Sequence, residues 1–140
     1  MAQSGESWNP SHWVAVVDDD AQIAQTLKLL LSFKGISTSV HGNAESLLAS
    51  LSLEQGRWRL QTPEGEAGAL VAVVLDLNLP GMSGVDLMLQ LRQQQADLKV
   101  VMVTAARDEL LRERPHDMEG VTCLNKPFSL EALEAALLGA

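Results

Sequence analysis

A single cysteine, Cys123, is present among the 140 residues, so no disulfide can form within the chain. A chain without internal disulfides is typical of a reducing compartment. No apolar run approaches the roughly 18 residues that a membrane-spanning helix needs, so we expect no membrane span. The first residues have neither a basic start nor an apolar stretch and do not form a signal peptide, which favours a cytoplasmic protein.

Positive charge is also scarce in this sequence. The chain has 10 Lys and Arg residues against 18 Asp and Glu residues, and its formal net charge at pH 7 is −8. An acidic domain repels the phosphate backbone of nucleic acids, so we expect no direct nucleic-acid binding. Hydrophobic residues make up 46% of the chain, which suffices for a core and argues against disorder. The acidic balance fits a cation site, a basic partner or solubility alone.

Short apolar runs typical of strands alternate with helical patterns along the chain. This alternation predicts an α/β domain with a parallel sheet and helices on both faces. Residues 1–12 are predicted to be a loose tail and residues 13–140 a single domain. Residues 54–68 have no clear period and are predicted to be an insertion or an extension of the preceding helix. The predicted strands are 13–17, 37–41, 70–75, 99–103 and 121–124, and three predicted helices are 21–33, 84–94 and 108–114. Two more helices are predicted, one capped by Asn43 that runs to about residue 53 and one capped by Ser129 that runs to residue 138.

Polar side chains follow the predicted strands at the points where they end. Ligands of open α/β sheets bind outside the carboxyl ends of the strands, so we expect these side chains to converge at one edge. The three histidines, in contrast, have no spacing typical of metal binding or catalysis. The residues at the strand ends are Asp18, Asp19 and Asp20, then Asp76, then Thr104, and finally Asn125 and Lys126.

The residue types in this cluster are suited to phosphoryl transfer. Crowded carboxylates repel one another and need a cation to stay ionised, and Mg²⁺ binds one or two carboxylates together with phosphate oxygens. Asp76 as a nucleophile would form an acyl phosphate. Lys126 and Thr104 would neutralise charge on the transferred group. Asp20 is predicted to cap the following helix rather than to bind a metal.

Four motifs together resemble the receiver domains of two-component signalling over about residues 13–138. The motifs are VVDDD at 16–20, LDLNLPGMSG at 75–84, VTA at 103–105 and NKPF at 125–128. The runs VVDDD, GNAESLL and LPGMSG are similar to those of the FixJ-like subgroup of receivers. The resemblance implies a flavodoxin-like (βα)5 fold, a doubly wound five-stranded parallel sheet with the strand order 2-1-3-4-5.

The resemblance also implies a metal site and a phosphoacceptor. Asp18 and Asp19 match the acidic pair that holds Mg²⁺ in receivers. Asp76 matches the phosphoacceptor, which also binds the metal. The backbone carbonyl of Asn78 matches the remaining protein ligand of the metal.

Thr104 matches the hydroxyl residue that takes part in the conformational switch of the family. Lys126 matches the catalytic lysine of the family. The phosphoryl donor would be a histidine kinase or a phosphotransfer protein, and the domain would catalyse its own phosphorylation without being a turnover enzyme. The phosphorylated domain would then control a partner protein or an output domain. A homodimer is a further expected assembly, because receivers often dimerise through the fourth helix, fifth strand and fifth helix.

The sequence departs from the family pattern at positions through which receivers usually transmit their phosphorylation to a partner. Receivers usually carry Tyr or Phe three residues before the lysine, where this chain has Cys123, predicted here to be a small buried residue. Residues 106–120 are charged and interrupted by Pro115, where receivers have an apolar-patterned helix. These departures keep an alternative open, a receiver-like module that binds partners independently of phosphorylation. A hydrolase of the haloacid-dehalogenase kind is disfavoured, because it would need a second Asp where Asn78 stands.

Overall fold

The computed structural model describes residues 11–77, 79–104, 121–126 and 128–138. Several sequence predictions fall on other residues and lie outside this description. They are the tail up to residue 10, the metal-ligand role of Asn78, and the predicted helix at 108–114 with its interruption at Pro115.

Seven strands and four helices form the described part of the chain. Apart from one segment, the observed elements agree with the predicted ones to within a few residues. The strands are β1 His12–Val17, β2 Ser37–His41, β3 Leu51–Glu54, β4 Arg57–Thr62, β5 Gly65–Asp76, β6 Lys99–Thr104 and β7 Thr122–Asn125. The helices are α1 Ala21–Phe33, α2 Ala44–Ala49, α3 Gly84–Gln94 and α4 Leu130–Leu138.

All seven strands belong to one sheet, and five of them are parallel. The parallel strands lie in the order β2-β1-β5-β6-β7. Numbered as the five predicted strands, this is the order 2-1-3-4-5. The expected flavodoxin-like arrangement is therefore confirmed, but the sheet is larger than predicted because β3 and β4 add an antiparallel extension to the first half of β5.

Of the two alternatives predicted for this segment, the extension of the preceding helix is wrong. The second helix ends at Ala49 instead of continuing to about residue 53, and residues 54–68 are not helical. Residues 51–62 form a β-hairpin, and its turn residues Gln55 and Gly56 have φ angles of 54° and 76°. Such positive φ values at both turn positions match the twist of a two-residue hairpin.

The hairpin is stabilised by apolar side chains that meet across its two strands. Leu51 lies opposite Leu60, and Leu53 lies opposite Trp58. This two-residue period places all four side chains on one face. Leu60 is buried in the core and Leu51 and Trp58 pack against it, whereas Leu53 is 44% exposed. These cross-strand contacts explain why the segment forms a pair of strands rather than an extension of α2.

Hydrogen bonds connect the hairpin to the end of α3. The indole N–H of Trp58 donates to the carbonyl of Leu91 at 3.0 Å, and the backbone N–H of Trp58 donates to Oε1 of Gln95 at 2.7 Å. The same Gln95 amide donates to the carbonyl of Leu70 at 3.2 Å. Gln95, which is buried, thus bridges β4 and β5 where β5 changes its partner from β4 to β6.

The core has two layers, one on each face of the parallel strands. Side chains of β1 alternate between the layers, because successive residues of a strand point to opposite faces. Ala15 and Val17 pack with α2 and α3, whereas Val14 and Val16 pack with α1 and α4. Helices therefore cover both faces, as predicted. No helix among the described residues is both long and apolar enough to span a membrane.

Candidate functional site

The carboxyl ends of four parallel strands bring the predicted polar residues to one edge of the sheet. Asp76 is the last residue of β5, with Leu75 opposite Val17 of β1, and Asp76 itself opposite Val103 of β6. The residues that follow β1 and β7 therefore approach Asp76 from its two sides. The fold creates this convergence because all four strands run in the same direction.

Three carboxylates form the centre of the site. One oxygen atom from each of Asp18, Asp19 and Asp76 lies within 4.8 Å of those of the other two. Asp18 is 2% exposed and Asp76 is 7% exposed, whereas Asp19 is open to solvent. Carboxylates this close repel one another, and two of them are removed from most of the solvent, so the cluster attracts a cation.

Lys126 supplies one positive charge to this cluster. Its Nζ donates to Oδ2 of Asp18 at 3.0 Å and to Oδ2 of Asp76 at 3.1 Å. Burial by itself lowers the pKa of Lys126, but the hydrogen bonds and the attraction of the two carboxylates outweigh burial and raise the pKa above its ordinary value. Lys126 therefore remains an ammonium at neutral pH.

The donor set of this pocket fits a divalent cation. With all three carboxylates ionised, one ammonium leaves two negative charges uncompensated. Carboxylate oxygens are the ligands that Mg²⁺ prefers, and partial exposure through Asp19 leaves room for water molecules that Mg²⁺ usually keeps. The residues present thus fit the Mg²⁺ ion that the sequence predicts.

The loop after β1 is held in place through Asp18 and Asp20. The backbone N–H of Asp18 donates to the carbonyl of His41 at 3.0 Å, and Oδ1 of Asp18 accepts from the N–H of Asp20 at 2.9 Å. Oδ1 of Asp20 accepts from the N–H groups of Gln22 and Ile23. The predicted role of Asp20 as a helix cap is confirmed, and its side chain is directed to the first turn of α1.

The loop after β5 is held tightly against Asp76. The N–H of Leu77 donates to the carbonyl of Val103 at 2.8 Å, and the N–H of Gly84 donates to the carbonyl of Leu77 at 3.2 Å. A Cβ atom at Gly84 would lie 2.4 Å from the backbone oxygen of Asp76. Only glycine allows α3 to begin this close to Asp76.

The remaining predicted residues of this region lie on β6 and β7. Thr104 is the last residue of β6, is 1% exposed, and its carbonyl accepts from the N–H of Lys126 at 2.8 Å. Cys123 lies on β7 and is exposed, so its prediction as a small buried residue is wrong. The physical reason is position: β7 pairs with β6 at the end of the described sheet, and Thr122, Cys123 and Asn125 are all exposed there.

His41 is a residue of this region that the sequence did not reveal. It ends β2, is 7% exposed, and its carbonyl contacts the loop of Asp18. Burial lowers the pKa of His41 to about 4. The available signal in the sequence was its position at the carboxyl end of a predicted strand, because the spacing of the histidines carries no information.

Comparisons with known proteins agree with this architecture. The family model of the response regulator receiver domain matches residues 14–138. The transcriptional regulatory protein FixJ of Azorhizobium caulinodans is 28% identical over 125 residues, which are 89% of this chain and 52% of that protein. The sensory transduction protein RegX3 of Mycolicibacterium smegmatis is 32% identical over 124 residues, 89% of this chain and 48% of that protein. The chain thus spans about half the length of the curated relatives it matches.

Solved structures show the same fold. The response regulator StyR superposes with a TM-score of 0.71 at 30% identity, covering 91% of this chain and 57% of that chain. The receiver domain of DrrB, activated with BeF3, superposes with a TM-score of 0.67 at 23% identity, covering 88% of this chain and 91% of that chain.

The family match includes all four strand ends that form the acidic pocket. The resemblance inferred from the four motifs is thereby confirmed, and the FixJ relatives are consistent with the predicted subgroup. The chain belongs to the response regulator receiver domain family of two-component signalling.

Proposed function

We propose that Asp76 accepts a phosphoryl group from a histidine kinase or a phosphotransfer protein, with Mg²⁺ held by Asp18, Asp19, Asp76 and the backbone carbonyl of Asn78. The observation that carries the proposal is the pocket at the end of β5, where three carboxylates meet one ammonium. Mg²⁺ supplies, when bound, positive charge beside the oxygens of the phosphoryl group.

In the proposed reaction, Asp76 is the nucleophile. An oxygen of its carboxylate forms a bond to phosphorus while the bond from phosphorus to the donor's imidazole nitrogen breaks, and that nitrogen keeps the electron pair. The domain provides its own transfer site but is regenerated only after the acyl phosphate is hydrolysed. It therefore acts as a phosphoacceptor rather than as a turnover enzyme.

Lys126 and Thr104 assist at the oxygens of the transferred group. Nζ of Lys126 already contacts Oδ2 of Asp76, so the same ammonium can pair with an oxygen of a phosphoryl group attached to that carboxylate. Thr104 ends the neighbouring strand, one residue beyond the position opposite Asp76, and its hydroxyl would donate a hydrogen bond to a second oxygen.

Phosphorylation of Asp76 would then bias a two-state arrangement read by a partner protein or an output domain. Histidine kinases and output domains are the usual partners of response regulators. Cys123 stands where receivers usually have an aromatic ring, so this output step would proceed without that ring. The same feature favours a second candidate function, a receiver-like module that binds its partner regardless of phosphorylation.

The phosphoacceptor proposal is tested by intact mass spectrometry after incubation with acetyl phosphate and Mg²⁺. The chain should gain one adduct of about 80 Da, and Asp76→Asn should abolish it. Asp86→Asn, which changes an exposed carboxylate in the first turn of α3, is the matched control and should retain the adduct. An unmodified wild-type chain beside a modified control receiver would refute the proposal.

Beryllofluoride, a stable mimic of the phosphoryl group, separates the two candidate functions. A switch should change amide hydrogen exchange outside the pocket when Mg²⁺ and beryllofluoride are added, whereas a phosphorylation-independent module should not. Sedimentation of the same samples tests whether the activated domain forms a homodimer.

A further inference from the structure

The side chain of His41 is held between a strand and a helix. Its Nε2 lies 2.9 Å from Oγ of Ser39 on β2, and its Nδ1 lies 3.4 Å from Oγ of Ser46 in α2. The N–H of Ser46 in turn donates to the capping oxygen of Asn43 at 2.7 Å. The imidazole is thus fixed from both sides, and the short segment between β2 and α2 is fixed with it.

The backbone of His41 contacts the acidic pocket directly. His41 lies opposite Val17 in the register of β1 and β2, and its carbonyl accepts from the N–H of Asp18 at 3.0 Å. The carboxylate of Asp18 is held separately, by Asp20 through Oδ1 and by Lys126 through Oδ2. The carbonyl of His41 therefore determines where the backbone of Asp18 lies relative to the pocket.

The two ring nitrogens of the buried imidazole each face one hydroxyl group, Oγ of Ser39 and Oγ of Ser46. An imidazole with one donor and one acceptor nitrogen can be satisfied by two such hydroxyl groups. The ring of His41 is therefore occupied by its neighbours on β2 and α2.

We infer that His41 is a positioning residue of the metal site: its locked side chain fixes its carbonyl on the N–H of Asp18, which keeps the carboxylate of Asp18 where a divalent cation binds. This inference rests on the proposed function insofar as the cation is Mg²⁺. Residues that orient the ligands of a metal typically change metal affinity by about 10–100-fold when they are replaced.

The test is the affinity of the whole chain for Mg²⁺, measured by isothermal titration calorimetry. His41→Asn should raise the dissociation constant about tenfold. A double substitution, Ser39→Ala with Ser46→Ala, removes both partners of the ring while keeping His41, and should weaken Mg²⁺ binding in the same direction. The double variant keeps the inference testable if His41→Asn does not fold.

The matched control is Thr38→Val. Thr38 is also buried on β2, and its hydroxyl donates to the carbonyl of Ile36 at 3.1 Å, away from the pocket. Thr38→Val should lower stability without changing the affinity for Mg²⁺.

The Mg²⁺ affinities of the variants distinguish a positioning role of His41 from general destabilisation. Unchanged Mg²⁺ affinity in both the His41 variant and the double serine variant would overturn the inference and leave the proposed function standing. An equal loss of affinity in Thr38→Val would assign the effect to general destabilisation and would also overturn it. A wild-type chain that binds Mg²⁺ but is never phosphorylated would refute only the phosphoacceptor role, and a wild-type chain that binds no Mg²⁺ would refute both.

Discussion

Replacing Lys126 by methionine should destabilise the protein strongly in the absence of divalent cations. Nζ of Lys126 lies 3.0 Å from Asp18 and 3.1 Å from Asp76, and the side chains of these three residues are 18%, 3% and 10% exposed. Methionine keeps most of the length of the side chain but leaves two buried carboxylates without their cation. Removing one partner of a buried ion pair costs about 3–5 kcal/mol, and the partial exposure of Lys126 favours the lower end, about 3 kcal/mol.

Unfolding in urea, with EDTA and then with saturating Mg²⁺, measures this effect. In EDTA the free energy of unfolding of Lys126→Met should be about 3 kcal/mol below that of the wild type. Mg²⁺ should stabilise the variant more than the wild type, because in the wild type the ammonium competes with the metal for Oδ2 of both carboxylates.

The control for this experiment is Lys28→Met, which changes an exposed lysine on α1. Its unfolding curves should coincide with those of the wild type with and without Mg²⁺. A loss of less than about 1 kcal/mol for Lys126→Met in EDTA, or equal stabilisation of variant and wild type by Mg²⁺, would contradict a stabilising role of the Lys126 ion pairs.

Two further substitutions test the packing around β5. Trp58→Phe keeps an aromatic ring but removes the N–H that donates to Leu91, and should lower the free energy of unfolding in urea by about 1 kcal/mol; an unchanged midpoint would contradict a stabilising role of this bond. Gly84→Ala places a Cβ 2.4 Å from the backbone oxygen of Asp76, and should cost about 2 kcal/mol and slow phosphorylation by acetyl phosphate. Gly42→Ala, whose Cβ would meet no atom within 4 Å, is its control, and equal effects of the two alanines would show that the close approach to Asp76 is unimportant.

Local patterns in the sequence are enough to predict the order of strands and helices and the composition of the pocket. The apolar strands, the helical periods and the caps Asp20 and Asn43 are local signals, since each depends on residues within one or two turns of the chain. Once the alternation predicted a parallel sheet, the rule for strand ends was enough to place Asp18, Asp76 and Lys126 together, and the structure joins them by hydrogen bonds.

The hairpin and the burial of single residues depend instead on tertiary contacts. Leu51 and Leu60 reveal a strand pair only once they lie opposite each other beside β5, because their own sequence also fits a helix extension. The exposure of Cys123 follows from the place of β7 at the end of the described sheet, and the burial of His41 follows from α2 packing beside β2. Such contacts join residues that are distant in sequence or lie on different elements, so no local pattern of residue types encodes them.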